Sequence, residues 1–161
     1  MDEPRLTYAS ILDFPRGTFC SLVERSYAPI ADTRLVEQWR LSDRETYDHP
    51  DTIGACGIVA CVADRPIGLA SYDPRQFPKA IIGQNCVLPE YRGRGFGKQQ
   101  MANLLAVLRG KGFKVASVTT LDRPFFEPAR RMYEACGFRE TNRSLSQGNP
   151  GAQQIEYQAD I

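Results

Sequence analysis

The sequence predicts an α/β chain of the α+β kind, with a mixed central β-sheet flanked by helices. Three observations carry that prediction. Seven short β-rich runs and four helical patterns follow one another in the order β-α-α-β-β-β-α-β-α-β-β. At 161 residues, 42% of them hydrophobic, the chain is long enough for a real core and reads as a single domain over 1–161. A glycine-rich turn stands between one β run and one strong helical pattern, which is the order of a strand–turn–helix ligand site.

Leu6 to Leu12 reads as the first strand. Pro15 suits the first turn of a helix reaching about Tyr27, because a missing N–H costs nothing there. Asp32 or Thr33 can cap a second helix, with Leu35, Val36, Trp39 and Arg40 at helical spacing. Asp48-His49-Pro50-Asp51 is a stop signal. Ala55 to Ala63 and Pro66 to Tyr72 are β runs joined by Asp64-Arg65 as a tight hairpin. Lys79 to Leu88 is a third β run that halts at Pro89. From Gln99 to Arg109 a helix places Met101, Leu104, Leu105 and Leu108 on one face, and Gly110 and Gly112 end it. Phe113 to Thr120 is rich in β-branched residues and reads as a strand. A helix over Pro124 to Cys136 tolerates Pro128 in its first turns and ends on Gly137. Phe138 to Arg143 and Gln154 to Ala159 close the chain as strands around a Ser-Gln-Gly-Asn-Pro-Gly loop. This hairpin offers an edge for pairing with a second copy, so a homodimer is among the expectations.

Composition excludes several classes. The formal net charge is +1, so nothing argues for bulk attraction to nucleic acid. No apolar run reaches membrane-spanning length, and Met1-Asp2-Glu3-Pro4 does not open a secretory leader. The five cysteines (Cys20, Cys56, Cys61, Cys86, Cys136) form no Cys-x-x-Cys pair, and a single His leaves no zinc-type spacing. Free, mostly buried thiols and a cytoplasmic protein are expected, with no metal.

The run from Val87 to Lys98 carries most of the chemistry. Glycine permits positive φ and close approach of a ligand to the backbone. A helix start presents unpaired N–H groups and the positive end of a dipole. Together they make a cradle for phosphate or pyrophosphate. A P-loop is excluded, because Arg92 stands five residues before Gly97 and Gln99 follows Lys98. A dinucleotide fingerprint is excluded too, because Lys98 stands where its third glycine belongs.

What remains is Arg92-x-x-Gly95-x-Gly97 preceded by Val87-x-Pro89-Glu90-Tyr91. This resembles motif A of the GNAT superfamily of N-acetyltransferases. Ala129-x-x-x-Tyr133-x-x-x-Gly137-Phe138 resembles the superfamily's motif B, in the expected order and distance. The likeness spans nearly the whole chain and is clearest from Ile81 to Arg139.

The resemblance implies acetyl-CoA as co-substrate and an amine acceptor, either a small molecule or a protein or peptide, with direct transfer in a ternary complex. Arg92, Gly93, Arg94, Gly95, Phe96, Gly97 and Lys98 would wrap the pyrophosphate by main-chain N–H groups, the three cations adding charge. Cys86, Val87 and Leu88 would pair through their main chain with the pantetheine arm, as an added strand does. The same stretch would supply an oxyanion donor. Tyr133 would protonate the departing thiolate, a task suited to a phenol of pKa about 10. Phe126 occupies a place where the family often has Asn, so an apolar wall replaces an amide contact there. The plain alternative for each side chain is packing or a solvated surface.

The general base is not evident. The strand Ile81 to Cys86 holds no acid, which leaves Gln84 or Asn85 to position a water, or Glu37, Asp43, Asp48 or His49 to act instead. Cys86 or Cys136 as an acyl-carrying nucleophile competes with the commoner state of cysteine, buried and inert. A non-catalytic acyl-CoA-binding domain and a transferase for longer acyl groups stand as the alternative functions.

Overall fold

A computed structural model describes residues 4–161; Met1 to Glu3, where the leader was sought, lie outside the described residues. Strands β1 (Leu6–Ser10), β2 (Gly57–Val62), β3 (Arg65–Asp73), β4 (Lys79–Val87), β5 (Val115–Leu121), β6 (Arg139–Leu145) and β7 (Gln153–Asp160) hydrogen-bond in the order β1-β2-β3-β4-β5-β7-β6. Helices are α1 (Thr18–Ser26), α2 (Thr33–Asp48), α3 (Phe96–Gly110) and α4 (Glu127–Ala135). β4 and β5 are parallel, whereas β1–β2, β2–β3, β5–β7 and β6–β7 are antiparallel. The mixed sheet and the element order are those expected. A parallel pair needs a long crossover, and α3 supplies it.

The chain gathers into two compact units. One comprises the chain up to Tyr72 together with Gln84–Gln100, the other Asp73–Gly83 together with Met101–Ile161. Strand β4 and helix α3 each contribute residues to both.

In the first unit, Ile11, Phe19, Leu22, Val23, Trp39, Val59, Leu69 and Leu88 form the main buried cluster. Leu6, Ala60, Ile67 and Phe96 form a second. The β2–β3 register slips between Ala60 and Cys61. Such a bulge re-aims side chains, and Ile67 and Leu69 accordingly fall into different clusters although two residues apart.

The first strand stops at Ser10, earlier than its apolar pattern suggested, because Ser10 Oγ accepts the Leu12 N–H and starts a 3₁₀ turn over Ile11–Asp13. The β2–β3 turn is Ala63-Asp64, with φ of 47° and 63°, and Arg65 already belongs to β3. Two positive-φ residues match the twist of a two-residue hairpin, so the expected turn at Asp64-Arg65 shifts back by one residue.

Helix α1 begins at Thr18, later than Pro15 implied. Its N-cap is Gly17, at φ 99°, which has no side chain to accept a hydrogen bond. The acceptor comes from α2. Asp43, 5% exposed, takes the Gly17 N–H on both carboxylate oxygens (3.1 Å each) and the Cys20 N–H on Oδ2 (3.0 Å). α2 has its own cap, with Asp32 Oδ1 accepting the Leu35 N–H at 2.8 Å. Its buried residues are Trp39, Asp43 and Thr46, one stripe at helical spacing.

In the second unit, Ile82, Met101, Leu104, Leu105, Leu108, Phe113, Val118, Tyr133, Phe138, Ile155 and Tyr157 are buried. Parallel pairing runs from Lys79↔Val115 to Ile82↔Val118. β5 and β7 pair along the whole length of β5. Every residue of β6 is exposed, and it carries Arg139, Glu140 and Arg143, charges that discourage further strand addition at an edge. The last helical pattern divides. Pro124–Phe126 is a 3₁₀ turn, and α4 proper starts at Glu127 with Pro128 in its first turn. Arg130 Nη1 reaches back to the carbonyls of Leu121 (2.7 Å) and Arg123 (3.0 Å), which ties α4 to the end of β5.

Asp43 is the acceptor for N–H groups that Gly17 cannot serve. Replacing it by Ala leaves them unpaired and should cost about 1–3 kcal/mol of stability, read as a lower denaturant midpoint. Asp43→Asn, which keeps one acceptor oxygen, should recover part of that loss.

Candidate functional site

The β4–α3 connection builds the glycine turn from the strand outward. Leu88 N–H donates to Ile67 O at 2.8 Å, holding the chain just past β4 against β3. Pro89–Tyr91 is a 3₁₀ turn closed by Arg92 N–H to Pro89 O (3.2 Å). Gly93 and Gly95 follow at φ 77° and 78°, the left-handed region that a side chain resists. Nothing lies within 4 Å of a Cβ built on either, so backbone conformation and not crowding requires glycine there.

The next main-chain bond is Gln99 N–H to Gly95 O, 3.1 Å, the first of the helix. Among the described residues, none of the six backbone N–H groups from Gly93 to Lys98 donates to a backbone carbonyl. A succession of free N–H groups at a helix start is an anion-binding concavity. α3 starts at Phe96 and not at Gln99, because the glycine turn already enters the helical conformation. Gly97 and Lys98 therefore lie in its first turn.

The three cations differ. Arg94 and Lys98 are exposed, and the Arg94 guanidinium lies 5.7 Å from the centre of the Tyr91 ring. Arg92 turns its guanidinium onto the main chain instead. Nε donates to Val87 O at 3.1 Å, and Nη2 donates to Ser26 O at the end of α1. The expectation that all three add charge to a phosphate thus meets a different geometry at Arg92. Phe96 is 5% exposed and packs near Tyr91, with ring centres 6.4 Å apart.

Cys86 and Leu88 are buried and Val87 is half-buried. Their backbone is partly committed. Cys86 O accepts from Gln100 Nε2 (3.2 Å), Val87 O from Arg92, and Leu88 O from the Tyr91 N–H (2.9 Å). Gln100 was not anticipated. It is 2% exposed, and its Nε2 also donates to Leu69 O (3.2 Å) and Asn85 Oδ1 (2.9 Å). Two backbone carbonyls settle which end of the carboxamide faces them, since a carbonyl only accepts. A Cβ at Gly68 would collide with Gln100 Oε1, so the glycine on β3 makes the room. The available signal was a polar residue at the i+4 position from Phe96, inside an otherwise apolar helix face.

The candidates for a base are mostly engaged elsewhere. Asp43 caps α1, Asp48 pairs with Arg16 at 2.8 Å, and His49 sits 3.3 Å from Glu45. Glu37 is exposed on α2. Gln84 donates its N–H to Ser71 Oγ at 2.9 Å, and Asn85 offers its oxygen to Gln100. A groove of about 330 Å³ runs along α1 past Arg16, Ser21, Arg25 and Pro66. Its two arginines are held by Asp48 and by Glu90 (3.1 Å).

In the second unit, Tyr133 is 5% exposed on α4. Its ring packs on Phe138 and Tyr157, with centres 5.6 and 5.9 Å away. Phe126 caps α4 and stacks edge-on against Phe125 at 5.1 Å. All five cysteines are free, four of them buried. Among the described residues no group of three or more His, Cys, Asp or Glu side chains is arranged to hold a metal ion. Nor is any helix long and apolar enough to cross a membrane.

The sequence model of the acetyltransferase (GNAT) family matches residues 18–138. The chain belongs to the GNAT family. Among solved structures, a protein from Desulfovibrio desulfuricans assigned as a GNAT acetyltransferase aligns over 97% of this chain and 99% of its own, with 18% identity and a TM-score of 0.82. The ribosomal-protein-S18-alanine N-acetyltransferase of Escherichia coli aligns over 98% and 94%, with 15% identity and a TM-score of 0.71. A protein of Bacillus anthracis assigned as a streptothricin acetyltransferase, in complex with acetyl coenzyme A, aligns over 65% and 61%, with 19% identity and a TM-score of 0.59. At these identities the likeness is one of GNAT fold. No curated protein matches the chain by sequence.

Burial pushes the Cys86 thiol up to about 11, and burial followed by Glu24 does the same for Cys20. A raised thiol pKa keeps the neutral form until the pH approaches that value. Alkylation at neutral pH should leave Cys86 and Cys20 unmodified in the folded protein and label both after denaturation, as read by mass spectrometry. Rapid native labelling of Cys86 would show a nucleophilic thiol.

Proposed function

We propose that this chain is an acetyl-CoA-dependent N-acetyltransferase, one acyltransferase domain over 1–161, that moves acetyl directly to a primary amine within a ternary complex. The observation that carries the reading is the set of unpaired N–H groups from Gly93 to Lys98 at the start of α3, in a chain of the acetyltransferase family. These groups suit the pyrophosphate, with Arg94 and Lys98 supplying charge. The backbone of Cys86 to Leu88 takes the pantetheine arm. Because the Val87 carbonyl already accepts from Arg92, the Val87 N–H is the natural donor to a ligand carbonyl. Phe126 offers apolar surface to the same cofactor.

The amine must arrive without its extra proton. Its lone pair forms the new C–N bond, the C–S bond breaks, and the electron pair leaves on sulfur. Tyr133 gives its phenolic proton to that thiolate, a transfer between groups of comparable basicity. No covalent acyl-enzyme is needed, in keeping with a Cys86 thiol that stays protonated. Small amines, amino acids, peptide N-termini and lysines all fit this chemistry. The E. coli neighbour, named for an alanine of a ribosomal protein, keeps protein N-termini in view. A cytoplasmic setting suits five free thiols.

One observation favours a second reading. β4 carries no carboxylate, and Asp43 and Asp48 are committed to α1 and Arg16. A non-catalytic acyl-CoA-binding domain would need no base.

Titration calorimetry with acetyl-CoA should give a dissociation constant in the micromolar range; no heat at millimolar ligand rejects both readings. A screen of amines that follows thiol release separates the two, because the binding domain releases none. Tyr133→Phe should lower turnover about 100-fold at saturating substrates and leave acetyl-CoA affinity unchanged. Unaltered turnover across pH would remove Tyr133 from the mechanism.

A further inference from the structure

We infer that Arg92 is a positioning residue and not a phosphate ligand, one that locks the end of β4 and ties the anion-binding turn to the C-terminal end of α1. The inference deepens the function proposed above and rests on it for the identity of the bound cofactor.

Guanidinium donors lie in one rigid plane, so the partners of one edge constrain the rest. Here Nε is spent on Val87 O, and Nη2 on Ser26 O. Ser26 is the last residue of α1. Carbonyls in a final helical turn lack intrahelical partners and carry the negative end of the dipole, so a cation is stabilising there. A carbonyl at a helix end and one at a strand end are both groups the backbone leaves over, and a single side chain joins them.

The tie is doubled beside it. Arg25, one residue earlier on α1, pairs with Glu90 of the Pro89–Tyr91 turn at 3.1 Å. α1 is thus fastened to both ends of the short segment that leads into the glycine turn. Arg94 and Lys98, by contrast, are exposed and flank the unpaired N–H groups. The geometry divides the labour: Arg94 and Lys98 meet the anion, and Arg92 holds the backbone that presents the N–H groups.

The two roles respond differently to charge and to salt. A phosphate ligand contributes a screened Coulomb attraction that a lysine largely replaces. A fork that spans two carbonyls is not replaced by lysine, whose ammonium is one compact donor head. The test compares Arg92→Lys, Arg92→Met, Arg94→Ala and Lys98→Ala with the unsubstituted chain. Acetyl-CoA affinity is measured by calorimetry at low and at physiological ionic strength.

Arg92→Lys and Arg92→Met should weaken binding equally, by about tenfold, with the salt dependence unchanged; Arg94→Ala and Lys98→Ala should flatten it. Amide hydrogen exchange without any ligand supplies the second readout. Arg92→Met should speed exchange at least tenfold in the last turn of α1 and over residues 87–92, with the helices of the second unit unaffected. If Arg92→Lys binds like the unsubstituted chain while Arg92→Met flattens the salt dependence, Arg92 is a phosphate ligand. Unchanged exchange in the ligand-free Arg92→Met protein also overturns the positioning role. An unsubstituted chain that binds no acetyl-CoA rejects the proposed function instead, and the exchange comparison still decides whether Arg92 is a clamp.

Discussion

A turn that leaves its own N–H groups unpaired must be held in shape by other parts of the chain. From Gly93 to Lys98 the backbone makes no hydrogen bond that would fix its course, and Gly93 and Gly95 give it freedom that other residues lack. What defines the turn is therefore its frame. Leu88 is pinned to β3, the Val87 carbonyl to Arg92, the Cys86 carbonyl to Gln100, and Phe96 is sunk in an apolar cluster. Preorganisation of this kind matters because donors already aimed at a charge need no reorganisation when it arrives.

Polar side chains build much of that frame by serving backbone groups. Asp43 completes α1, whose own cap is a glycine. Gln100 lies inside the first unit and answers carbonyls of both β3 and β4. Arg130 does the same for the end of β5 in the second unit. Buried backbone groups must find partners, and where strand ends, bulges and helix termini leave them over, a long side chain from elsewhere is the available donor or acceptor. Several of the residues whose chemistry marked them as candidates for catalysis are committed to this task. Asp43 is the clearest, a carboxylate in the right region whose oxygens are taken up by N–H groups.

Local chemistry made most of the fold legible. Eleven strands and helices follow in the order that apolar periodicity sets out, and Asp32 caps α2 where its type and place suggested. The boundaries moved where a local competitor acted: Ser10 bonded its own backbone, Ala63 and Asp64 took the positive-φ turn, and the glycine turn ran straight into α3. The anion cradle was equally legible, because glycine spacing and a helix start are properties of adjacent residues.

The sequence by itself determined the element order, the family motifs and the position of the phosphate turn, since each depends on neighbours a few residues apart. Only the tertiary structure decided which cation of the turn faces outward and which is spent on the backbone. It also decided that Asp43 belongs to α1 and that Gln100 spans two strands. Those pairings join residues 26, 66, 31 and 14 positions apart. The physical reason is that an arginine, an aspartate or a glutamine has the same donors and acceptors whether it meets a ligand or a carbonyl of its own chain. The choice falls to whichever unpaired group the fold brings within about 3 Å.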